Sequence, residues 1–428
     1  MLRGHPGVIT QLIRNFRRNV QASILMMTAL LMPAIIGMAG LGLDASNWMM
    51  TQRMLQNSVD AAVLAAAWET AHGMSDNMQD AAEREAANNG WDKNKDGTLV
   101  LSVDTDADGQ PEITGVLKQK ADVYLSRIMH GSDIYIATTA GATLIGPTGD
   151  FCVLALSNAA SGAITFQGDA DLDAAGCGLA LNSNSSTALD NTGQGYIANL
   201  NDVTIVGSTN LACNNGHLSC NSMLTNSGST PDPYSNLNVT QDTSTCTSVS
   251  RINGQDSSHL SGGVYCGLDM SGGTLTLDPG VYYFTGDVTV TNGTITGPGV
   301  TIIMTSPDGS TYPNIKITGG DITLSPPTTG DTAGVALYVD RNAPTEEAGS
   351  GNNCKNELTG NGNIDVQGAV YVPSQCLLYT GSNGVPAANV CSRIIANTVV
   401  FSGSSKIGNS CSGLNVNNIG QYTVKLSM

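Results

Sequence analysis

The sequence is poor in charged and aromatic residues. Only 12% of its 428 residues are charged and 5% are aromatic, whereas an average domain has about a quarter charged residues. It contains no CxxC pair, no P-loop, no G-x-S-x-G nucleophile elbow, and no acidic residue before Asp44. The low charge argues against an ordinary enzyme domain, and the missing motifs argue against a P-loop nucleotidase and an α/β-hydrolase.

Residues 19–43 contain no charged side chain and are preceded by Arg14, Arg17 and Arg18. As a helix, this run covers the roughly 30 Å of a bilayer core. Because Lys and Arg stay on the cytoplasmic side, we expect a single-pass membrane protein with a cytoplasmic N-terminus. The C-terminal bulk would then be periplasmic or extracellular. A cleaved secretory signal is the alternative, although its apolar region is typically shorter; in both cases most of the chain is exported.

The exported part is strongly acidic. After the apolar run the chain has 14 basic and 35 acidic residues, an excess of 21 negative charges. Nucleic-acid binding needs clustered Lys and Arg, so nucleic acid is not expected as a partner. The acidic balance suits solubility outside the cell and cation binding.

The ten cysteines all follow the apolar run. An even number in an oxidising compartment indicates disulfides. We predict five local bridges that join sequence neighbours in order. A zinc cluster is not expected, because the five histidines are scattered and zinc ligands are closely paired. The disulfide candidates are Cys152, Cys177, Cys213, Cys220, Cys246, Cys266, Cys354, Cys376, Cys391 and Cys411.

Residues 44–88 continue the helical pattern, with no proline and a single glycine, Gly73. Small residues predominate in residues 55–67, which allows another backbone to approach closely. One interpretation is packing against other helices, as in a pilus core; the other is an Ala-rich helix lying on a sheet. Four residues at helical spacing form the predicted packing face: Leu55, Val59, Ala62 and Ala66.

Three segments after this helix alternate apolar and polar residues, namely residues 98–103, 113–124 and 133–144. They predict antiparallel strands, so that residues 44–147 form a pilin-like α+β segment. Residues 104–112 resemble the start of a calcium loop, although Gly115 stands where such a loop has a bidentate Glu. Hairpin turns built from Asp and Gly are the alternative, which their turn propensity favours. The four calcium-ligand candidates are Asp104, Asp106, Asp108 and Glu112.

Residues 148–428 consist of short apolar–polar segments separated by Gly, Asn, Asp and Ser turns. Their spacing predicts a parallel β-helix, most simply a right-handed one, with a β-sandwich as the alternative. Disulfides would join the coils, and Pro-rich residues 231–234 and residues 326–362 would leave the solenoid. The predicted strands include residues 275–277, 288–290, 300–303, 315–317, 322–324, 364–366 and 399–401.

Residues 14–70 combine several features in a fixed order: Arg17-Arg18-Asn19-Val20, an apolar run with Pro33, Asp44, Leu55-Gln56 and residues 60–67. This combination gives the N-terminal region a close resemblance to TadG-like Flp (Tad) pilus-assembly proteins. It implies a non-enzymatic protein of the bacterial inner membrane that acts in pilus assembly or adhesion. Other Tad/Flp assembly proteins or pilins would be its partners. Residues 1–18 would then be a cytoplasmic basic tail and residues 19–43 the transmembrane helix.

Two departures restrict this inference. The residues around Val20 offer no prepilin-type cleavage site, and no D-x-S-x-S metal motif of a von Willebrand A domain occurs. No cofactor is expected, apart from calcium at the acidic loop. Two other functions stay open. One is an exported β-helix that binds or cleaves surface polysaccharide, using scattered carboxylates such as Asp269, Asp287 and Asp365. The other is a periplasmic scaffold unrelated to pili.

Overall fold

The structure is a computed structural model. It describes residues 20–71, 77–105, 110–124, 133–174, 176–193, 195–237, 241–348, 353–360, 363–380 and 390–427. The chain forms two compact units, Met1–Ile145 with Val424–Met428, and Gly146–Thr423. Residues 424–428, which the sequence analysis assigned to the all-β domain, therefore belong to the first unit.

Two helices lie in the first unit, α1 (Val20–Ala71) and α2 (Met78–Asn88). The sequence predicted helix to residue 88, and α1 and α2 cover this range except for residues 72–76, which lie outside the described residues, and Asn77. At the end of α2, the Trp91 amide donates to the Ala86 carbonyl and the Gly90 amide to the Ala87 carbonyl. This is a Schellman motif, and it requires the positive φ of +106° that Gly90 adopts.

The first unit contains three antiparallel strands, β1 (Thr98–Thr105), β2 (Pro111–Lys120) and the first part of β3 (Tyr135–Ala155). Gly115 in the central strand lies opposite Leu101 on one side and Ala140 on the other. The three predicted strands are thus confirmed, with β3 longer than expected. Alternating residues such as Leu99, Ile113 and Leu117 are buried, which is the pattern of a sheet covered on one face.

The described residues of the second unit form strands and no helix. The strands after β3 are mostly short because turns interrupt the apolar alternation every few residues, and the last of them ends within the first unit. They are β4 (Ile164–Asp173), β5 (Gly178–Leu181), β6 (Leu189–Asn191), β7 (Ile197–Asn199), β8 (Asp202–Ile205), β9 (Leu218–Ser219), β10 (Ser222–Thr225), β11 (Ser257–Leu260), β12 (Gly263–Tyr265), β13 (Leu268–Leu277), β14 (Gly280–Phe284), β15 (Val288–Gly297), β16 (Val300–Met304), β17 (Ile315–Ile317), β18 (Asp321–Leu324), β19 (Val335–Val339), β20 (Asn356–Leu358), β21 (Ile364–Val366), β22 (Gly368–Tyr379), β23 (Ser392–Lys406) and β24 (Ile419–Ser427).

These strands pair in parallel with the strand roughly one coil later in the chain. One row runs through β12, β14, β16, β19, β22 and β23. A second row runs through the first parts of β13 and β15 and then β17 and β20. A third joins β11, the later parts of β13 and β15, β18 and β21. Each coil therefore contributes one short strand to each of three rows.

The order of the coils along the stack differs from their order in the chain. The first strand of the unit, β3, pairs with the last long strand, β23, through Val153 opposite Ile394. β23 also pairs with β4. The coils of residues 151–225 consequently continue the stack beyond the coils of residues 263–406. The chain between residues 225 and 247 connects the two sets, and its described residues, 226–237 and 241–246, are called the crossing segment.

The core of the second unit is a column of inward-facing aliphatic and aromatic side chains. Val153, Leu179 and Val203 are completely buried, and they stand in register on successive coils. Phe166 stacks on Tyr196 with ring centroids 5.3 Å apart. Repetition of one small layer thus gives a continuous core in a chain with few aromatic residues.

Candidate functional site: the N-terminal helix

The first half of α1 exposes large apolar side chains. Leu31 is 55% exposed and Met38 is 66% exposed, although such residues are normally buried in a water-soluble fold. The Thr28 hydroxyl donates to the Ile24 carbonyl and the Ser46 hydroxyl to the Gly42 carbonyl, 2.8 Å away. Both hydroxyls are therefore satisfied within the helix. The helix segment Met27–Ala71 is long and apolar enough to cross a membrane.

A polar junction marks the end of the uncharged run. Asp44 is completely buried, and its carboxylate accepts a hydrogen bond from the Tyr124 amide at 3.0 Å. One helical turn later, the Asn47 side-chain amide donates to the Asp122 carbonyl at 3.1 Å. These contacts fix the segment after β2 against the helix where its uncharged run ends.

The second half of α1 packs within the first unit. Leu55, Val59, Ala62 and Ala66 are completely buried. A Cβ at Gly115 would lie 2.7 Å from Val63 Cγ1, so β2 approaches α1 closely because this position has no side chain. The predicted packing face is thus occupied by the chain's own sheet and by α2. It corresponds to the second of the two interpretations, and these four side chains are not accessible to a partner helix.

Two polar side chains add directional contacts to this packing. The Ser58 hydroxyl donates to the Asn89 carbonyl at 3.0 Å, which joins α1 to the residue after α2. The Gln56 side-chain amide donates to the Thr139 carbonyl at 3.2 Å, which joins α1 to β3. The rotation of α1 about its own axis is therefore fixed, and the same face cannot turn outward without breaking both bonds.

The calcium candidates are only partly described. Asp104 and Glu112 lie directly opposite each other in the pairing of β1 with β2, and Glu112 accepts a hydrogen bond from the Ser427 hydroxyl. Asp106 and Asp108 lie outside the described residues. Within the described ranges, no group of three or more His, Cys, Asp or Glu side chains is arranged to hold a metal ion. Calcium binding stays a prediction. Arg14, Arg17 and Arg18 also lie outside the described residues.

The ten cysteines form five disulfides, all in the second unit, with Cα atoms 4.7 to 5.4 Å apart. They join neighbours in sequence order, which is the predicted pairing. The pairs are Cys152–Cys177, Cys213–Cys220, Cys246–Cys266, Cys354–Cys376 and Cys391–Cys411.

The crossing segment is fixed by a buried polar cluster that the sequence analysis missed. The Tyr371 hydroxyl donates to the Asp232 carboxylate at 2.6 Å, and the Arg341 guanidinium donates to the Tyr371 hydroxyl at 3.0 Å and the Tyr234 carbonyl at 2.9 Å. Burial raises the pKa of Asp232 and raises the pKa of Tyr234 to about 12. The isolated Tyr234 directly after Pro233 was the available signal, since an aromatic residue in a polar loop commonly packs on a core.

A second buried cation lies where the two sets of coils meet. Arg393 is 1% exposed, and its guanidinium donates to Cys152 Sγ at 3.1 Å and to the Asn409 side-chain oxygen. Local sequence gave no indication of this burial, because its partner Cys152 is 241 residues away.

Comparison with known proteins identifies one region. Residues 22–69 match the family of Flp pilus-assembly TadE/G-like (Tad) proteins. This match covers both halves of α1 almost completely. None of the curated proteins matches the chain. None of the solved structures matches it either.

Proposed function

We propose that this chain is a non-enzymatic, membrane-anchored component of a Flp/Tad pilus system that acts in pilus assembly or adhesion. The main support for this proposal is that the family match at residues 22–69 coincides with α1. The exposed half of this helix has the apolar surface of a membrane anchor, and its other half is packed on a sheet. The family match and the division of α1 into an exposed apolar half and a packed half both support a membrane-anchored role in pilus assembly.

In this proposal residues 19–43 cross the inner membrane, with the N-terminus in the cytoplasm. The first unit is a pilin-like α+β segment, in which a long helix lies on antiparallel strands. The second unit is a right-handed parallel β-helix that serves as the exported head. The parallel strand rows support the β-helix, and the handedness rests on the general preference of parallel crossover connections.

Filament fractionation tests the role. Cells lacking this chain are expected to assemble fewer filaments, and the full chain restores them. In a complemented strain, peptides of this chain are sought by mass spectrometry in sheared filaments and in washed inner membranes. Presence in filaments indicates a minor pilin or tip subunit, and confinement to the membrane indicates an assembly factor. Unaltered piliation on deletion would overturn the proposal and favour a scaffold unrelated to pili.

A matched pair of variants tests the anchor. Leu31→Arg introduces a charge at the middle of the apolar run, which costs about 2.5–3.5 kcal/mol for membrane insertion. We expect this variant to leave the membrane fraction and to fail in restoring filaments, whereas Leu31→Ala behaves like the wild type. Full membrane retention of the Arg variant would contradict the assignment of this helix as the anchor.

A further inference from the structure

Four consecutive coils of the second unit present one polar row on their outer surface. Asp269 in β13 lies in register with Thr289 in β15, Thr289 with Lys316 in β17, and Lys316 with Glu357 in β20. Parallel strands are about 4.7–4.9 Å apart, so a row across four coils is about 15 Å long. The row runs along the stack, across the strands.

This row forms the floor of a groove. One cavity of about 440 Å³ is lined by residues from Ser248 to Thr289, and another of about 450 Å³ by residues from Asp287 to Glu357. The two cavities share Asp287 and Thr289 in their linings, so they lie next to each other along the row. The volumes are those of small-ligand sites, and the elongated form suits a chain-like ligand.

Disulfides hold both ends of the groove. Cys266 lines the first cavity and is bridged to Cys246, whereas Cys354 lines the second and is bridged to Cys376. A site whose walls are fixed before binding loses less conformational entropy when a ligand enters.

The lining combines polar side chains with apolar ones such as Val249 and Leu268, and its charges are largely compensated. Lys316 forms an ion pair with Glu357 at 3.0 Å, and Arg251 approaches Asp269 at 3.4 Å. The Asp287 carboxylate accepts a hydrogen bond from the Asn314 amide at 2.8 Å. Side chains of Thr289, Asn314 and Asn353 add hydroxyl and amide groups. Such a surface both donates and accepts hydrogen bonds without a strong preference for a charged ligand.

We propose that this groove binds an extended neutral glycan whose sugars carry hydroxyl and acetamido groups. Sugar hydroxyls and acetamido groups both donate and accept hydrogen bonds, which matches the lining, and a linear glycan matches the length of the row. The bound chain lies along the stack of coils. This inference goes beyond the pilus role and does not depend on it.

Calorimetric titration of the full chain in detergent with chitohexaose tests the groove. The wild type is expected to bind saturably, and Thr289→Trp, which fills the floor where the cavities meet, to bind at least tenfold more weakly. Thr296→Trp is the matched control because Thr296 is exposed on the same strand outside the groove. Absence of saturable binding by the wild type, or equal affinity of the two Trp variants, would overturn the proposal.

A second variant and a second glycan extend this titration. The double variant Lys316→Ala/Glu357→Ala removes a donor and an acceptor from the row without adding bulk, and it should also bind about tenfold more weakly; this result tests the groove even where Thr289→Trp does not fold. A hexamer of galacturonate carries a carboxylate on every sugar and is expected to bind more weakly than chitohexaose; the reverse order would refute a neutral ligand. Because the readout is glycan affinity in purified protein, failure here is distinguishable from failure of the pilus role.

Discussion

The two units of this protein are stabilised in different ways. The first unit contains no cysteine, and it buries a long Ala-rich helix face against a sheet and a second helix. The second unit has no helix among its described residues and contains all five disulfides. A helix on a sheet gains stability from one broad apolar interface. A stack of small coils is stabilised by the repeated contacts of each coil with its neighbours, and the disulfides restrict the loops between the strands.

Complete reduction of the disulfides should give the largest difference in stability between the two units. Each native disulfide typically contributes about 2–4 kcal/mol, so reduction of all five is expected to unfold the second unit and leave the first intact. Hydrogen exchange of the full chain with and without a phosphine reductant, followed by peptide, measures both units at once. Equal loss of protection in the two units would contradict the separation.

Removal of individual disulfides should destabilise the second unit by amounts that depend on the length of the loop that each one closes. Cys152–Cys177 spans 25 residues and Cys213–Cys220 spans 7. The chain-entropy relation gives about 3.5 kcal/mol for the longer loop and about 2.4 kcal/mol for the shorter one. Paired Cys→Ala substitutions should follow this order in chemical denaturation, and the reverse order would show that loop length does not decide the effect.

Leu55→Ala tests the interface of the first unit. Leu55 is 0% exposed, and removal of its side chain should destabilise this unit by about 2–5 kcal/mol. Met50→Ala on the same helix is the control, because Met50 is 70% exposed; its effect should stay within about 0.5 kcal/mol. Hydrogen exchange of peptides from β2 reports the change, and protection in the second unit should not move.

Alkaline pH should have the smallest of these effects and act on the second unit. An unfolded Tyr ionises near pH 10, whereas the buried Tyr234 has a pKa of about 12. The raised pKa contributes stability that is complete below pH 10 and is lost as the pH rises from 10 to 12, by about 1.4 kcal/mol for each pH unit. Tyr234→Phe should flatten this part of the stability profile, and an unchanged slope would refute the role of this hydroxyl.

Much of the local structure follows from the sequence. Residues 315–317 and 364–366 were predicted as strands and form β17 and β21 with the same bounds. Their apolar–polar alternation between Gly and Asn turns is a local signal, and so is the helical spacing in α1. The five disulfide pairs also followed from order in the chain.

The arrangement of the coils could not be predicted in this way. Nothing near Val153 indicates that it lies beside Ile394, because register between distant strands is fixed by three-dimensional packing. The same is true of the burial of Arg393 and of the contact between Asp232 in the crossing segment and Tyr371. Both depend on residues that are far apart in the sequence. The groove depends on neighbouring coils as well, so isolated residues such as Asp269 and Asp287 did not identify it.

The pairing of β3 with β23 has a consequence for biogenesis. In the proposed topology the chain crosses the membrane progressively, and the residues of β3 emerge long before those of β23. Closing so long a loop carries an entropic cost and slows folding. The coils of residues 151–225 must therefore wait, incompletely covered, until almost the whole polypeptide has been translocated. Disulfides formed early, such as Cys152–Cys177, would protect these waiting coils from aggregation, and oxidative folding is expected to limit the yield of the folded protein.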